Sequence, residues 1–167
     1  MPETPDRDSA TVRAALKKWK QKRAANSAQK RKEGEDLKDM GNGLFKKGDY
    51  EGAVILYSQV IERAGPKPVY LSNLSAAYMK LADYESAEWG ATGALLYDPK
   101  LIKARYRRAL ARKKMNLLKA AMSDLKTILV HDSGCIEAQK LLDIVQNDWE
   151  AGDGIELEDG YSTDDQA

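Results

Sequence analysis

The sequence repeats itself with a period of 34 residues, and this periodicity restricts the fold more than any other feature. Small residues recur where two helices must approach closely, and larger apolar residues recur where successive copies would stack. The five aligned columns are Gly41/Ser75/Ala109, Ala53/Ala87/Ala121, Tyr57/Ala91/Leu125, Val60/Ala94/Ile128 and Ile61/Leu95/Leu129. A unit of this length holds two helices, and such units bury their apolar faces by stacking on each other. We therefore predict an all-α, right-handed solenoid of three helix pairs with a concave groove.

Turn signals divide the repeat region into units. The turns within the units are expected at Gly48-Asp49, at Ala82-Asp83 and near Asn116. The predicted units span about 34–66, 68–99 and 101–132. A further helix at about 135–150 is expected to cap the last unit, because one of its faces is apolar: Ala138, Leu141, Leu142, Val145 and Trp149.

The two flanks carry opposite charge although the net charge of the chain is only +1. Residues 1–8 contain two prolines and are predicted to be disordered, and a basic helix is predicted over 9–33, ending at Gly34. Nine lysines or arginines and no acid lie between Arg13 and Lys32. Nine acids and no base follow Lys140, and 151–167 is predicted to be an acidic, disordered tail. Such asymmetry indicates either interaction segments or merely solvated flanks.

Several classes of protein are not expected. No run of 18 apolar residues predicts a membrane span, and the first residues lack the apolar stretch of a signal peptide. Cys135 is the single cysteine and His131 the single histidine, which are too few for a conventional metal site of these residues. We predict no catalytic site, no metal and no cofactor, and a cytoplasmic or nuclear location.

Five polar residues fall on the first predicted helices of the three units, near the same side: Lys38, Asn42, Asn73, Lys103 and Arg107. The first two are four residues apart, as are the last two, so each pair shares a helical face. Asparagine disfavours a helix relative to alanine or leucine, so two asparagines in register with basic residues require a reason. Ammonium, guanidinium and amide donors bind carboxylates, and when the site is empty the cations would repel each other. The cluster predicts a site for the acidic end of a peptide.

The stretches that carry these residues resemble a known family. They are 38–45 (KDMGNGLF), 71–78 (LSNLSAAY) and 103–109 (KARYRRA). Over about 100 residues the sequence is similar to the carboxylate-clamp tetratricopeptide co-chaperones. That family holds the C-terminal Glu-Glu-Val-Asp of the seventy- and ninety-kilodalton heat-shock chaperones. The resemblance therefore implies an adaptor that binds these tails.

The resemblance also implies a role for each residue of the cluster. Lys38, Asn42 and Asn73 would hold the main-chain carboxylate of the ligand's last residue. Lys103 would help to bind the side chain of the last aspartate, and Arg107 would reach the peptide further upstream. Apolar surface near the aliphatic residue of the ligand would come from Phe45 and Tyr78.

Two other functions remain open at this point. Nine cations in the basic segment, with Trp19 among them, could engage a nucleic acid backbone, although the near-neutral chain lacks an RNA-binding signature. Alternatively, the repeat is a scaffold with no preference for a peptide terminus. The preferred chaperone, a second partner and the oligomeric state do not follow from the sequence.

Overall fold

The computed structural model describes residues 10–152. The predicted disorder of residues 1–8 and the acidic stretch from 153 onward lie outside the described residues. Seven helices follow one another in the described part: α1 (Ala10–Lys47), α2 (Tyr50–Ala64), α3 (Pro68–Lys80), α4 (Tyr84–Tyr97), α5 (Ile102–Lys114), α6 (Leu118–His131) and α7 (Ile136–Glu150). Each helix packs against its neighbour in the chain, which is the predicted stack of helix pairs. None of these helices is both long enough and apolar enough to cross a membrane.

The predicted break between a basic helix and the first unit is wrong. Helix α1 is continuous over 38 residues, about 57 Å at 1.5 Å per residue, and it passes through Gly34 without interruption. Gly34 is buried, and a Cβ atom there would come within 2.6 Å of Ala64 Cβ. The glycine therefore allows α1 and α2 to approach closely and does not end the helix. The N-terminal part of α1, up to Lys32, is exposed to solvent.

The turns within the three units share one backbone conformation, a residue with a positive φ angle. Gly48, Ala82 and Asn116 are 34 residues apart, and their φ angles are 86°, 60° and 61°. In the first two units the following aspartate caps the next helix: Asp49 accepts a hydrogen bond from the backbone nitrogen of Gly52, and Asp83 accepts one from that of Ser86. A left-handed residue followed by an N-cap thus reverses the chain in these units.

Ala82 has a positive φ angle, which is unfavourable for an alanine. This leads to a prediction about stability. An L-residue in the left-handed region costs roughly 1–2 kcal/mol, partly offset by the lower backbone entropy of alanine relative to glycine. Ala82→Gly is expected to raise the free energy of unfolding by about 0.5–1 kcal/mol, as measured by urea denaturation. Gly48→Ala, at the equivalent position, is expected to change it in the opposite direction. A loss of stability in Ala82→Gly would contradict the explanation.

The core consists of clusters of buried apolar residues along the stack. Ala53, Tyr57, Leu74 and Ala77 form a cluster where the first unit meets α3, and Ile61 also contacts the next cluster along the chain. At the other end, α7 buries the residues predicted for its apolar face: Ala138, Leu141, Leu142 and Val145, with Trp149 half-buried beside them. This helix covers the last unit, as expected of a cap.

Candidate functional site

A cavity of about 380 Å³ opens between the first helices of the second and third units. Helix α3 contacts α5 directly, because each is the first helix of its pair. Three residues of the predicted cluster line this cavity, namely Asn73, Lys103 and Arg107. The other lining residues are Pro68, Val69, Ser72, Asp98 and Leu101. The cavity therefore combines cations and an amide with an apolar wall and a single acid.

The two asparagines join α1 to α3. Asn42 Oδ1 accepts a hydrogen bond of 3.2 Å from Asn73 Nδ2 and another of 2.8 Å from the hydroxyl of Tyr57. Asn42 is therefore an acceptor as well as a possible donor. Within the described residues its amide nitrogen makes no hydrogen bond, so that nitrogen can donate to a ligand.

Arg107 is half-buried and lies against α3. Its Nη1 donates to the backbone oxygen of Ser72 at 2.7 Å and also to the Ser72 hydroxyl. Burial lowers the pKa of the Arg107 guanidinium, because removing it from water disfavours its charged form. Between residues 10 and 152 no carboxylate forms an ion pair with it. A partly desolvated cation without a counter-ion is costly and favours the binding of an anion.

Lys103 stands one helical turn before Arg107 and lines the same cavity. It is exposed, and in the part of the chain that the structure describes it has neither a hydrogen bond nor an ion pair. Its long side chain can therefore adjust to a ligand without breaking an existing contact.

Lys38 differs from the other two cations because it already has acidic partners. Its Nζ lies 2.5 Å from Glu35 Oε2 and 3.3 Å from Asp39 Oδ1. These acids partly offset the expected repulsion between Lys38 and the other cations of the cluster. Its charge is compensated before any ligand arrives.

Glu35 was not predicted as part of the site, yet it is its best-connected acid. Besides Lys38, its carboxylate accepts hydrogen bonds from Tyr70 Oη at 2.8 Å and Lys67 Nζ at 3.4 Å. The hydrogen bond from Lys38, followed by that from Tyr70, holds the pKa of Glu35 down at about 2. The repeat register contains a signal for this residue: Glu35 lies 68 positions before Lys103, in the same column.

The predicted aromatic residues lie away from the lining of this cavity. Phe45 and Tyr78 are half-buried against the core of the first unit, and Phe45 packs edge-on against Tyr50 with ring centroids 5.2 Å apart. The apolar wall of the cavity consists of Pro68, Val69 and Leu101. Sequence reasoning missed these residues, because short apolar side chains at helix starts and connections carry no distinctive pattern.

The opposite face of α5 carries a buried ionic network. Asp124 of α6 is 3% exposed and accepts hydrogen bonds from three arginines of α5. Arg108 binds both of its oxygens at 2.6 and 2.8 Å, Arg112 approaches to 2.9 Å and Arg105 to 3.4 Å. This network fixes the rotation of α5 and so presents Lys103 and Arg107 to the cavity. The spacing of the arginines, three and four residues, is the sequence signal that could have revealed it.

A second basic surface lies beside the exposed part of α1. A cavity of about 380 Å³ there has four cations in its lining: Arg23, Lys30, Arg31 and Lys67. Lys67 connects it with the carboxylate of Glu35. Over residues 10–152 the structure brings together no group of three histidine, cysteine or acidic side chains that could hold a metal ion.

The repeat region is similar in sequence to parts of known proteins. No family model matches the chain. The chain is 39% identical over 98 residues to human serine/threonine-protein phosphatase 5, a match that covers 59% of this chain and 20% of the phosphatase. It is 40% identical over 80 residues to the heat-shock protein cognate co-chaperone sgt12 of Aspergillus fumigatus, which covers 48% of this chain and 24% of the co-chaperone. The chain thus spans about a fifth to a quarter of the length of these relatives.

Solved structures match over nearly their whole length. The second TPR domain of human RPAP3 in complex with the HSP70 peptide SGPTIEEVD is similar with a TM-score of 0.68 at 34% identity, covering 70% of this chain and 98% of that domain. The second TPR of Spaghetti (RPAP3), bound to the HSP90 peptide SRMEEVD, gives a TM-score of 0.60 at 36% identity, with coverages of 62% and 95%. Because these domains are covered almost completely at more than 30% identity, the chain belongs to the tetratricopeptide repeat (TPR) co-chaperone family.

Proposed function

We propose that the groove binds the acidic C-terminal Glu-Glu-Val-Asp peptide of HSP70 or HSP90 through a clamp for two carboxylates. The observation that carries the proposal is the half-buried Arg107, which shares a cavity with Asn73 and Lys103 and has no acidic partner among the described residues. The peptides bound to the two related domains end in Glu-Glu-Val-Asp, which supports the same class of ligand here.

The five residues of the cluster divide the work in this proposal. Lys38, Asn42 and Asn73 hold the main-chain carboxylate of the ligand. The hydrogen bond between the two asparagines keeps their side chains, on α1 and α3, next to each other. Lys103 binds the side-chain carboxylate of the last aspartate, and Arg107 donates to the peptide further upstream.

The aliphatic residue of the ligand has a second apolar surface available to it. Pro68, Val69 and Leu101 line the cavity beside the cations, so we propose that they contact the aliphatic residue of the peptide in addition to Phe45 and Tyr78. Phe45 and Tyr78 pack against the core of the first unit.

The expected affinity is moderate. Each charge-assisted hydrogen bond contributes roughly 1.5–3 kcal/mol, and ordering a short flexible peptide offsets part of the sum. A dissociation constant around micromolar, or about −8 kcal/mol, is expected, and added salt should weaken it.

The proposal describes an adaptor and not an enzyme. The support for this is that the related domains in these complexes bind peptides. A cytoplasmic location follows from the proposed partners. We do not propose nucleic acid binding, because the peptides bound to the related domains favour a carboxylate ligand for the predicted cluster.

The direct test is calorimetric titration with a peptide ending Met-Glu-Glu-Val-Asp, as the free acid and as the C-terminal amide. We expect micromolar binding of the acid and a loss of at least about tenfold on amidation, because a neutral amide cannot make the charge-assisted bonds. Lys103→Ala should weaken the binding of the free-acid peptide by about five- to tenfold. It should not change the stability of the fold, since the Lys103 side chain is exposed.

The matched control is Lys126→Ala, which removes another exposed lysine, on α6, from a surface that contains no residue of the predicted cluster. This variant should bind like the parent. Equal binding of acid and amide would refute carboxylate recognition and leave a repeat scaffold without preference for a peptide terminus.

A further inference from the structure

The first-unit counterpart of a predicted clamp lysine is an acid. Positions 35, 69 and 103 form one column of the repeat, and they hold glutamate, valine and lysine. Lys103 and Val69 line the cavity between α3 and α5. The same position on α1 therefore places a negative charge where the third unit has a positive one.

The acid is held firmly and within reach of the clamp. Glu35 Oε2 contacts Lys38, and Oε1 accepts from Tyr70 and Lys67 at the start of α3. The Glu35 side chain is 43% exposed, whereas the Lys38 side chain is 21% exposed. The carboxylate of Glu35 therefore faces the solvent from which a ligand would arrive. Lys38, the cation that α1 contributes, is therefore already paired with acids of α1 itself, most closely with Glu35.

We propose that Glu35 competes with the ligand's C-terminal carboxylate for Lys38 and thereby lowers the affinity of the clamp. The inference rests on the proposed function and assigns a residue that limits it. A ligand carboxylate must share Lys38 with Glu35 or displace it, and in either geometry two negative charges come close together. In the described part of the chain Arg107 and Lys103 form no ion pair, although Asp98 lines the same cavity. They therefore contribute more of the net affinity than Lys38.

The lowered pKa of Glu35, about 2, supports the premise that the competitor is charged whenever the ligand is charged. The pKa of Lys38 is raised, chiefly by its hydrogen bond with Glu35. Both shifts have the sign of an ion pair that exists in the empty site.

The test compares the parent with Glu35→Gln by calorimetry, using the same free-acid peptide. Glutamine keeps the size of the side chain and can still accept from Tyr70, but it carries no charge. We expect the affinity to rise by about tenfold, which is the size of the effect of a like charge several ångströms away at intermediate dielectric. Asp39→Asn is the matched control, because Asp39 also approaches Lys38, but its side chain is 70% exposed and its longer contact is screened. We expect less than a twofold change there.

A second measurement needs no ligand. The pKa of the Lys38 ammonium, followed by NMR, should fall in Glu35→Gln if the two groups pair in the empty site. An unchanged pKa would show that the pair does not form in solution and would overturn the inference. An unchanged affinity in Glu35→Gln, with normal binding by the parent, would also overturn the inference. A weaker affinity would overturn it too and would identify Glu35 as a residue that orients Lys38.

The outcomes separate the inference from the function on which it rests. Peptide binding by the parent with no gain in Glu35→Gln rejects the competitor alone. Binding that appears only in Glu35→Gln supports the competitor in its strongest form. If neither protein binds the free acid, the proposed function is rejected and the inference falls with it.

Discussion

Asp124→Asn is expected to lower the free energy of unfolding by about 3–5 kcal/mol, which is the usual cost of removing one partner from a buried ion pair. Asp124 is buried and is the common acceptor of Arg105, Arg108 and Arg112. Asparagine has nearly the same shape but no charge. The substitution therefore leaves three clustered guanidinium groups, of which only Arg112 retains another acid between residues 10 and 152, Glu88 at 2.7 Å. Repulsion among these cations adds to the loss of hydrogen bonds.

Urea denaturation followed by circular dichroism measures this change. Asp143→Asn is the matched control: Asp143 is exposed on α7 and accepts a hydrogen bond from Gln139, four residues away. Its effect should remain within about 0.5 kcal/mol. A loss of less than 1 kcal/mol in Asp124→Asn would mean that the network contributes little and that apolar packing alone orients α5.

Arg107→Ala is expected to weaken binding of the free-acid peptide by about 10- to 150-fold, which corresponds to 1.5–3 kcal/mol for a hydrogen bond with a charged partner. The guanidinium is half-buried and already oriented by Ser72, so little conformational entropy is lost when it engages the ligand. Arg107→Lys retains the charge but loses the planar donor group, and its affinity should lie between those of the parent and of Arg107→Ala.

Calorimetry on both variants checks the affinity, and thermal unfolding checks the fold, because Arg107 also ties α5 to α3. Arg63→Ala removes an exposed arginine from the last turn of α2 and serves as the matched control. If Arg107→Ala binds within threefold of the parent while remaining folded, the clamp does not depend on this side chain and the assignment of the site is wrong.

The two predictions concern opposite faces of one helix. Arg105, Arg108 and Arg112 face α4 and α6 through Asp124, Glu88 and a contact with Thr92. Lys103 and Arg107 face the cavity shared with α3. Within the described residues the cations on the first face form ion pairs with Asp124 and Glu88, whereas those on the second face form none. We infer that this division separates the structural from the ligand-binding charges of a very basic helix.

The periodicity of the sequence was enough to predict the helix pairs, their turns and the capping helix. That prediction succeeded because apolar columns at a spacing of 34 can be buried only by stacking one unit on the next. The cluster of Lys38, Asn42, Asn73, Lys103 and Arg107 was also visible, since register alone places these residues on the first helices.

The contacts that a side chain makes with neighbouring helices could be identified only from the tertiary structure. Gly34 was read as a helix end, but its role is to admit Ala64 of α2, and no local pattern reveals such a contact. Lys38 was expected to be one of several cations that repel each other, but α1 itself supplies Glu35 as its partner, and Lys67 and Tyr70 at the start of α3 bind that acid. Local spacing determined which residues share a helix face. Only the packing of distant helices decided which of those charges were already neutralised, because ion pairs and burial depend on side chains far apart in the sequence.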